Sequence, residues 1–424
     1  MLAVWGSADG GGAVPGRRVA VTGVGVVAPC GIGRDAYWAG LLGPAPSGPR
    51  RVTDLDATAI YGTKEIRRVD RFTQFAAVAA AEALSDAGIL DEEGALQDGA
   101  AGDPARAGVI IGTGVGGLES LEEQFRVLVD KGPRRVSPFL VPMMMGNRAA
   151  ADVSMRYGFK GPCETTVTAC AAGTHSVANA ARLIATGRCD LVVAGSSEAP
   201  LSELGITGFT NMTALSSSGV SMPFDVKRDG FVIGEGSGVL VLEELGRARA
   251  RGAKVYAEVL GAASTADAHH ITAPAPDGSG AVSCMRLAIQ DAGLSPRDIS
   301  HINAHGTSTP LNDAAEAEAI VAVFGAADGD AGDGADGTAA PAVTSIKGIT
   351  GHSLGAAGSL EAVALVLTID KGLIPPTAGL TELDPGMAID VVRDEPRKWE
   401  PAPALSNSFG FGGHNGTLVL GPAR

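Results

Sequence analysis

Cys170 lies in Thr168-Ala169-Cys170-Ala171-Ala172-Gly173-Thr174, directly ahead of a helical pattern over 176–186. A thiol at a helix start meets the positive end of the backbone dipole, which favours thiolate, the nucleophilic form. Two later segments carry groups that could move protons and stabilise charge: Asn303-Ala304-His305-Gly306-Thr307-Ser308-Thr309-Pro310 and Lys347-Gly348-Ile349-Thr350-Gly351-His352-Ser353-Leu354-Gly355. One nucleophile and two histidines in glycine-rich turns point to covalent acyl chemistry. Small neighbours around Cys170 let a substrate approach. Cys163, in Gly161-Pro162-Cys163, lacks that setting and reads as structural, as do Cys30, Cys189 and Cys284. His305 and His352 are each bracketed by glycine and hydroxyl residues at an expected strand end, where α/β sites collect. His175, His269, His301 and His414 read as structural. A metal would also use two histidines, but no third ligand lies at metal spacing.

These groups need a scaffold. Arg17 to Val27 reads as a buried strand running into a glycine turn. It lacks a full dinucleotide fingerprint, with neither G-x-G-x-x-G nor an acidic residue at the ribose position. The chain also repeats itself. The segment 81–89 resembles 285–294; both read as amphipathic helices ending at glycine. Each is followed by a strand-like run and a glycine turn, at 107–112 and 299–306. Cys170 precedes a helix ending near Gly187, and His352 precedes a comparable one over 358–370. With strands at 191–195 and 238–242, the pattern predicts two α/β halves with a break near 253–258 and largely parallel, buried sheets.

A chain of 424 residues, 45% of them apolar, suits two or three domain-sized units with well-filled cores. A net charge of −14 argues against nonspecific nucleic-acid binding. Five cysteines without C-x-x-C spacing read as reduced thiols of a cytoplasmic protein. No apolar run approaches a membrane span, and Met1 to Trp5 is too short for a signal segment. Residues 1–16 read as a loose Gly-rich arm, and Gly325 to Pro341 as a solvated loop whose aspartates lack the glutamate that would complete a calcium loop.

Taken together, T-A-C-A-A-G, N-A-H-G-T-S-T-P, K-G-I-T-G-H-S-L-G-A-A-G and Asn407-Ser408-Phe409-Gly410-Phe411-Gly412-Gly413 resemble the elongating β-ketoacyl-acyl-carrier-protein synthases. These are the Cys-His-His condensing enzymes of fatty acid and type II polyketide synthesis, and the resemblance runs from about Arg17 to Leu420. Initiating synthases use Cys-His-Asn and thiolases Cys-His-Cys, and the His352 motif fits neither. The resemblance implies a thiolase-like fold, two similar α/β halves (17–257 and 258–424) in a five-layer αβαβα arrangement. It implies that Cys170 takes the acyl group, that His305 and His352 promote malonyl decarboxylation, and that Lys347 and Glu316 are the charged pair beside them. The oxyanion hole would use the N–H groups of Cys170 and Phe411, with Phe409 at the gate. Thr307 and Thr309 would hold the phosphopantetheine arm. Val115, Phe209 and Phe139 would line the acyl tunnel, with Met143, Met144 and Met145 near a partner chain.

Further implications concern partners. No cofactor is expected, and the only metal implied is a structural cation that some members hold near Asn303 and Glu361. The expected partner is an acidic acyl carrier protein, met by Lys64, Arg67, Arg68 and Arg71 and by Arg134 and Arg135. A second partner would be an identical or related ketosynthase-like chain, in a homodimer or heterodimer. Thr213 stands where many members carry arginine, and the stretch between Asp56 and Lys64 is short for the family. Fatty acid and polyketide pathways both remain open at this point.

Overall fold

The computed structural model describes residues 16–326 and 340–424. The N-terminal arm and most of the loop expected at 325–341 lie outside them. Apart from the two-residue Gly31–Ile32, which pairs with the first of them, the described residues of the first half supply the strands β1 (Val19–Ala28), β2 (Ala107–Gly112), β3 (Cys163–Glu164), β4 (Leu191–Glu198) and β5 (Gly236–Glu244). The second supplies β6 (Ala257–Ala266), β7 (His301–Asn303), β8 (Ala342–Thr344), β9 (Ala404–Gly410) and β10 (His414–Gly421). Their orders, β3-β2-β4-β5-β1 and β8-β7-β9-β10-β6, are the same pattern used twice. The edge strands β1 and β6 pair antiparallel through Val19–Val259 and Val21–Ala257, joining both copies into one continuous sheet.

The sheet is mixed, which corrects the largely parallel arrangement expected from the sequence. β2 runs parallel to β3 and β4, and β7 to β8 and β9, but β5 and β10 run antiparallel to both of their neighbours. For β9 and β10 the reason is local: only Phe411 to Gly413 separates them, a length that closes a hairpin and cannot make a crossover.

Four helices complete the layers: α1 (Arg71–Asp86), α2 (Ala172–Ala185), α3 (Ser279–Asp291) and α4 (Ala357–Lys371). α1 packs on β1, β5 and β4, and α3 packs on β6 and β10. Between the two halves of this sheet α2 and α4 pack on each other and on strands of both copies. Along β4, Val192 and Ala194 join the central core while Leu191 and Val193 face the α1 side; in β10, Leu418 and Leu420 join the same central core and Val419 faces α3. This period-of-two alternation, apolar on both faces, is what a sheet sandwiched between helices requires. The result is five layers, αβαβα. α4 is buried from Ala357 to Ile369, so it is apolar all round rather than on one stripe.

The central helices start unusually close. A Cβ on Gly173 would lie 2.3 Å from the Ser359 nitrogen and 2.5 Å from Ser196 Oγ. Gly173→Ala should therefore cost about 1–3 kcal/mol by overpacking, read as a lower urea midpoint at unchanged slope.

Candidate active site

Each site residue is placed by an end of a regular element. Cys170 sits in a single tight turn, Ala169–Ala171, immediately before α2. Ala169 adopts φ 48°, a left-handed conformation rare outside glycine, which turns the chain sharply into the helix. His305 follows β7. His352 does not follow a strand: it lies beyond the short helix Lys347–Thr350, and its backbone pairs with Ile233 and Val232, donating to the Val232 carbonyl at 2.7 Å. Gly410, at the end of β9, presses against the Cys170 turn, and a Cβ there would lie 3.1 Å from the Cys170 nitrogen.

The fold brings the three chemical groups together. His352 Nε2 lies 3.0 Å from Cys170 Sγ. The His305 and His352 rings meet edge-on with centroids 5.4 Å apart. Donor atoms of Cys170, His305 and His352 all lie within 4.8 Å of one another, so the third soft ligand that sequence spacing did not supply comes from tertiary structure. Phe231 packs edge-on against His352, and Phe409 packs against His305.

Behind the histidines lies Lys347, 1% exposed. Its Nζ donates to the His305 carbonyl at 2.5 Å, reaches His305 Nδ1 at 3.3 Å and contacts the Glu361 carboxylate. The carboxylate facing Lys347 is thus Glu361 and not Glu316. Glu316 instead accepts the backbone N–H groups of His305 (2.8 Å) and Gly306 (2.7 Å), fixing the turn that aims His305. A lysine donor on Nδ1 leaves the His305 proton on Nε2. His352 Nδ1 has no partner among the described residues, so its ring is held on the polar side by the Nε2 contact with Cys170 Sγ.

Burial governs the titration of the cluster. It pushes the Cys170 thiol up to about 11, although the Lys347 charge and the Phe411 N–H favour thiolate. The helix dipole therefore does not make a resting thiolate, contrary to expectation, because complete desolvation is the larger effect. Burial, with Lys347 adding to it, holds His305 and His352 well below the ordinary imidazole range, so both are neutral. Burial also raises Glu316 and Glu361 to about 7.

A cavity of about 590 Å³ opens onto Cys170, His305 and His352. Thr307, Thr309, Phe409 and Phe411 line it, as do Val115 and Phe209. Phe139 does not line it: its ring sits under the Arg68 guanidinium, 4.4 Å from the centroid, and is partly exposed. Lys64, Arg67, Arg68, Arg134 and Arg135 are exposed. Arg71 is diverted from that basic run by its ion pair with buried Glu235 at 2.7 Å. Sequence reading missed Glu198, which is buried and accepts Thr113 Oγ at 2.9 Å, and Phe231; a carboxylate closing the apolar run of β4 was the available signal for the first. His175 is satisfied by Thr168 (2.8 Å), Ser264 (3.0 Å) and the Asn415 carbonyl (3.1 Å), bracing the residue two before the nucleophile.

The comparisons agree with this geometry. The beta-ketoacyl synthase N-terminal domain matches residues 50–248 and the C-terminal domain residues 256–381. The chain belongs to the beta-ketoacyl synthase family. The 3-oxoacyl-[acyl-carrier-protein] synthase 2 of Synechocystis sp. is 44% identical, over 95% of this chain and 98% of that protein. Its Staphylococcus aureus counterpart is 42% identical over the same shares. Among solved structures, the ishigamide ketosynthase/chain length factor matches with TM-score 0.85 and 33% identity, covering 96% of this chain and all (100%) of that one. A beta-ketoacyl synthase from Burkholderia phymatum matches with TM-score 0.85 and 31% identity at the same coverage.

If Lys347 biases the whole cluster, removing its charge should show in the thiol. In Lys347→Met the pH profile of Cys170 alkylation by iodoacetamide should move upward from about 11. In Lys347→Met/Glu361→Gln the upward move should shrink, because Glu361 itself raises the thiol.

Proposed function

We propose that this protein catalyses the decarboxylative Claisen condensation of an acyl group, held as a thioester on Cys170, with malonyl-acyl-carrier protein, giving 3-oxoacyl-acyl-carrier protein in type II fatty acid or polyketide synthesis. The observation that carries it is one thiol and two neutral imidazoles converging at the end of a largely apolar cavity. A hydrolase would need water there, whereas a carbanion must be shielded from it.

The chemistry follows from the tautomers. The Cys170 S–H gives its proton to His352 Nε2 across 3.0 Å as sulfur attacks the incoming acyl thioester. The carbonyl oxygen gathers charge facing the Cys170 and Phe411 N–H groups, and as the intermediate collapses the carrier sulfur leaves as a thiol, taking from His352 Nε2 the proton that came from Cys170. The malonyl arm then enters past Thr307 and Thr309, whose hydroxyls lie 2.9 Å apart. His305, protonated on Nε2 because Lys347 occupies Nδ1, donates to the malonyl thioester oxygen, and His352 joins it once its single proton has moved from Nδ1, where no protein contact holds it, to Nε2. Loss of carbon dioxide leaves an enolate held by these two donors. Its carbon attacks the acyl-Cys170 carbonyl, and the thiolate departs with the new carbon–carbon bond formed. Neutral imidazoles suit this step, since a neutral donor stabilises the oxyanion without protonating it outright.

Several finer assignments belong to the same reading. The functional halves are 17–257 and 258–424. Val115 and Phe209 form the acyl wall, continuous with His352 through Phe231 (Phe209 centroid 5.6 Å from Phe231). The exposed basic residues receive the acidic carrier; Arg68, resting on Phe139, brings the first run beside the segment that carries Arg134 and Arg135. The exposed apolar face of Leu121, Phe125, Leu128, Val129, Val141 and Met145 is covered by a second ketosynthase-like chain. Asn303 Oδ1 is buried without a hydrogen-bond partner, the kind of oxygen a structural cation takes; such an ion would brace the strands and take no part in the reaction. No helix among the described residues is long and apolar enough to cross a membrane, and five unpaired thiols suit the cytoplasm.

A second reading, catalytic half of a heterodimer with a chain-length-factor-like chain, is favoured by the ishigamide neighbour and by a ketosynthase complexed with its chain length factor from Xenorhabdus doucetiae (TM-score 0.78, 25% identity, 96% and 98% coverage). Native mass of the protein alone separates the two: a stable homodimer with activity supports the first, and activity only on adding such a partner supports the second.

Intact-mass analysis with acyl-carrier and then malonyl-carrier protein tests the chemistry. Wild type should gain an acyl adduct and discharge it as a 3-oxoacyl product, and Cys170→Ala should gain none. His305→Ala should still acylate but lose roughly 10²–10³-fold in condensation, the usual cost of removing one oxyanion donor. Reversing Arg67, Arg68, Arg134 and Arg135 to Glu should raise KM for the carrier, more at low salt, with little change in kcat.

A further inference from the structure

The internal repeat aligns the nucleophile with a residue that does no chemistry. Thr168-Ala169-Cys170-Ala171-Ala172-Gly173 in the first half corresponds to Ser353-Leu354-Gly355-Ala356-Ala357-Gly358 in the second. Both make a single tight turn, Ala169–Ala171 and Leu354–Ala356, and both feed a central helix that starts two residues after the matched position. Both open on a non-glycine residue with a left-handed backbone, φ 48° at Ala169 and 47° at Leu354. Gly355 is therefore the second copy of the Cys170 position.

That second turn also faces an anion. The Gly355 N–H donates to Glu198 Oε2 at 3.1 Å, and the same oxygen accepts the Gly114 N–H. Glu198 Oε1 accepts Thr113 Oγ at 2.9 Å and the Val115 N–H at 3.3 Å. All four partners are donors, so the site is built for the ionised carboxylate. Glu198 is fully buried at the end of β4, and burial raises it to about 7 against these donors. Neither glycine has room for a side chain: a Cβ on Gly355 would lie 2.1 Å from the Gly114 nitrogen, and one on Gly114 2.6 Å from Glu198 Oε2. Two cavity walls meet here, Val115 from the first half and Leu354, two residues from His352, from the second.

We infer that Glu198 is a positioning residue: its carboxyl is a resident acceptor held by the second copy of the nucleophile turn, and it locks the Val115 loop and the His352 turn into one rigid unit. Tunnel wall and decarboxylating histidine then keep a fixed relation while acyl chains of different length come and go. The kinetic part of this inference rests on the ketosynthase reading, but the structural part does not.

Hydrogen–deuterium exchange on wild type and Glu198→Gln separates them. The amide variant keeps size but removes one acceptor oxygen from a carboxylate that serves four donors. Exchange at 113–117 and at 352–356 should rise together, roughly 10- to 100-fold, with the cooperative melt retained. Gly355→Ala, which drives a Cβ into the carboxylate, should reproduce the joint effect. In turnover, Glu198→Gln should lower kcat for condensation roughly 10- to 100-fold, as small displacements of a catalytic group do. KM for malonyl-carrier protein should hold and the product-length distribution should broaden. Exchange that changes in one loop only, or in neither, overturns the lock. So does a kcat loss with unchanged product lengths. A wild type that makes no 3-oxoacyl product would sink the ketosynthase reading alone, because the exchange result stands without it. A variant that fails to melt cooperatively hands the decision to Gly355→Ala, where the same joint or separate change applies.

Discussion

A buried ammonium organises this active site. Lys347 lies inside the protein among the His305 carbonyl, His305 Nδ1 and Glu361, and each contact has a chemical consequence. It sets the His305 tautomer, adds to the desolvation that keeps both imidazoles neutral, and draws the Cys170 thiol toward thiolate. A charge so deep survives only because partners surround it; removing one would leave the other uncompensated in a poorly polarisable interior. The surrounding folds reflect that need: the helix Lys347–Thr350 brings the lysine in from one side, and α4 brings Glu361 from another.

Dryness has opposing effects on the chemistry. It strengthens every N–H aimed at a developing oxyanion and protects a carbanion from protons. It also raises the resting thiol to about 11, which suits the proposed reading in which His352 takes the proton during attack. With Nδ1 unpartnered, His352 suits the double duty proposed for it, first accepting the thiol proton and later donating to the enolate. His305, pinned by Lys347, serves only as a donor. Two histidines of the same type are thus differentiated by a single neighbour.

Duplication supplied two copies of a sharp turn before a central helix, and the chain uses them differently. One copy presents a sulfur and an N–H to the cavity. The other presents its N–H to Glu198 and carries glycine because the Gly114 loop leaves no space for a side chain. The left-handed residues Ala169 and Leu354 persist in both, since the turn geometry is needed whether the anion it faces is transient or permanent.

Much of this was legible in the sequence. Cys170, His305 and His352 announced themselves by type and by their small, glycine-rich surroundings, and the repeated helix–strand patterns gave the two halves. Helix boundaries were close, with α4 observed at Ala357–Lys371 against an expected 358–370. Local pattern could not decide strand direction, because a run of buried apolar residues reads alike in parallel and antiparallel pairs. Nor could it choose the carboxylate for Lys347: Glu316 and Glu361 both sit on helices near the motifs, and only packing places one against the ammonium and the other under the His305 backbone. Arg71 resembled a docking residue in sequence, yet it pairs with Glu235. The sequence by itself determined which atoms could react, since nucleophile and proton carriers are properties of residue type. Tertiary structure alone decided their protonation, because desolvation and a neighbouring charge, not the identity of a side chain, set where its proton resides.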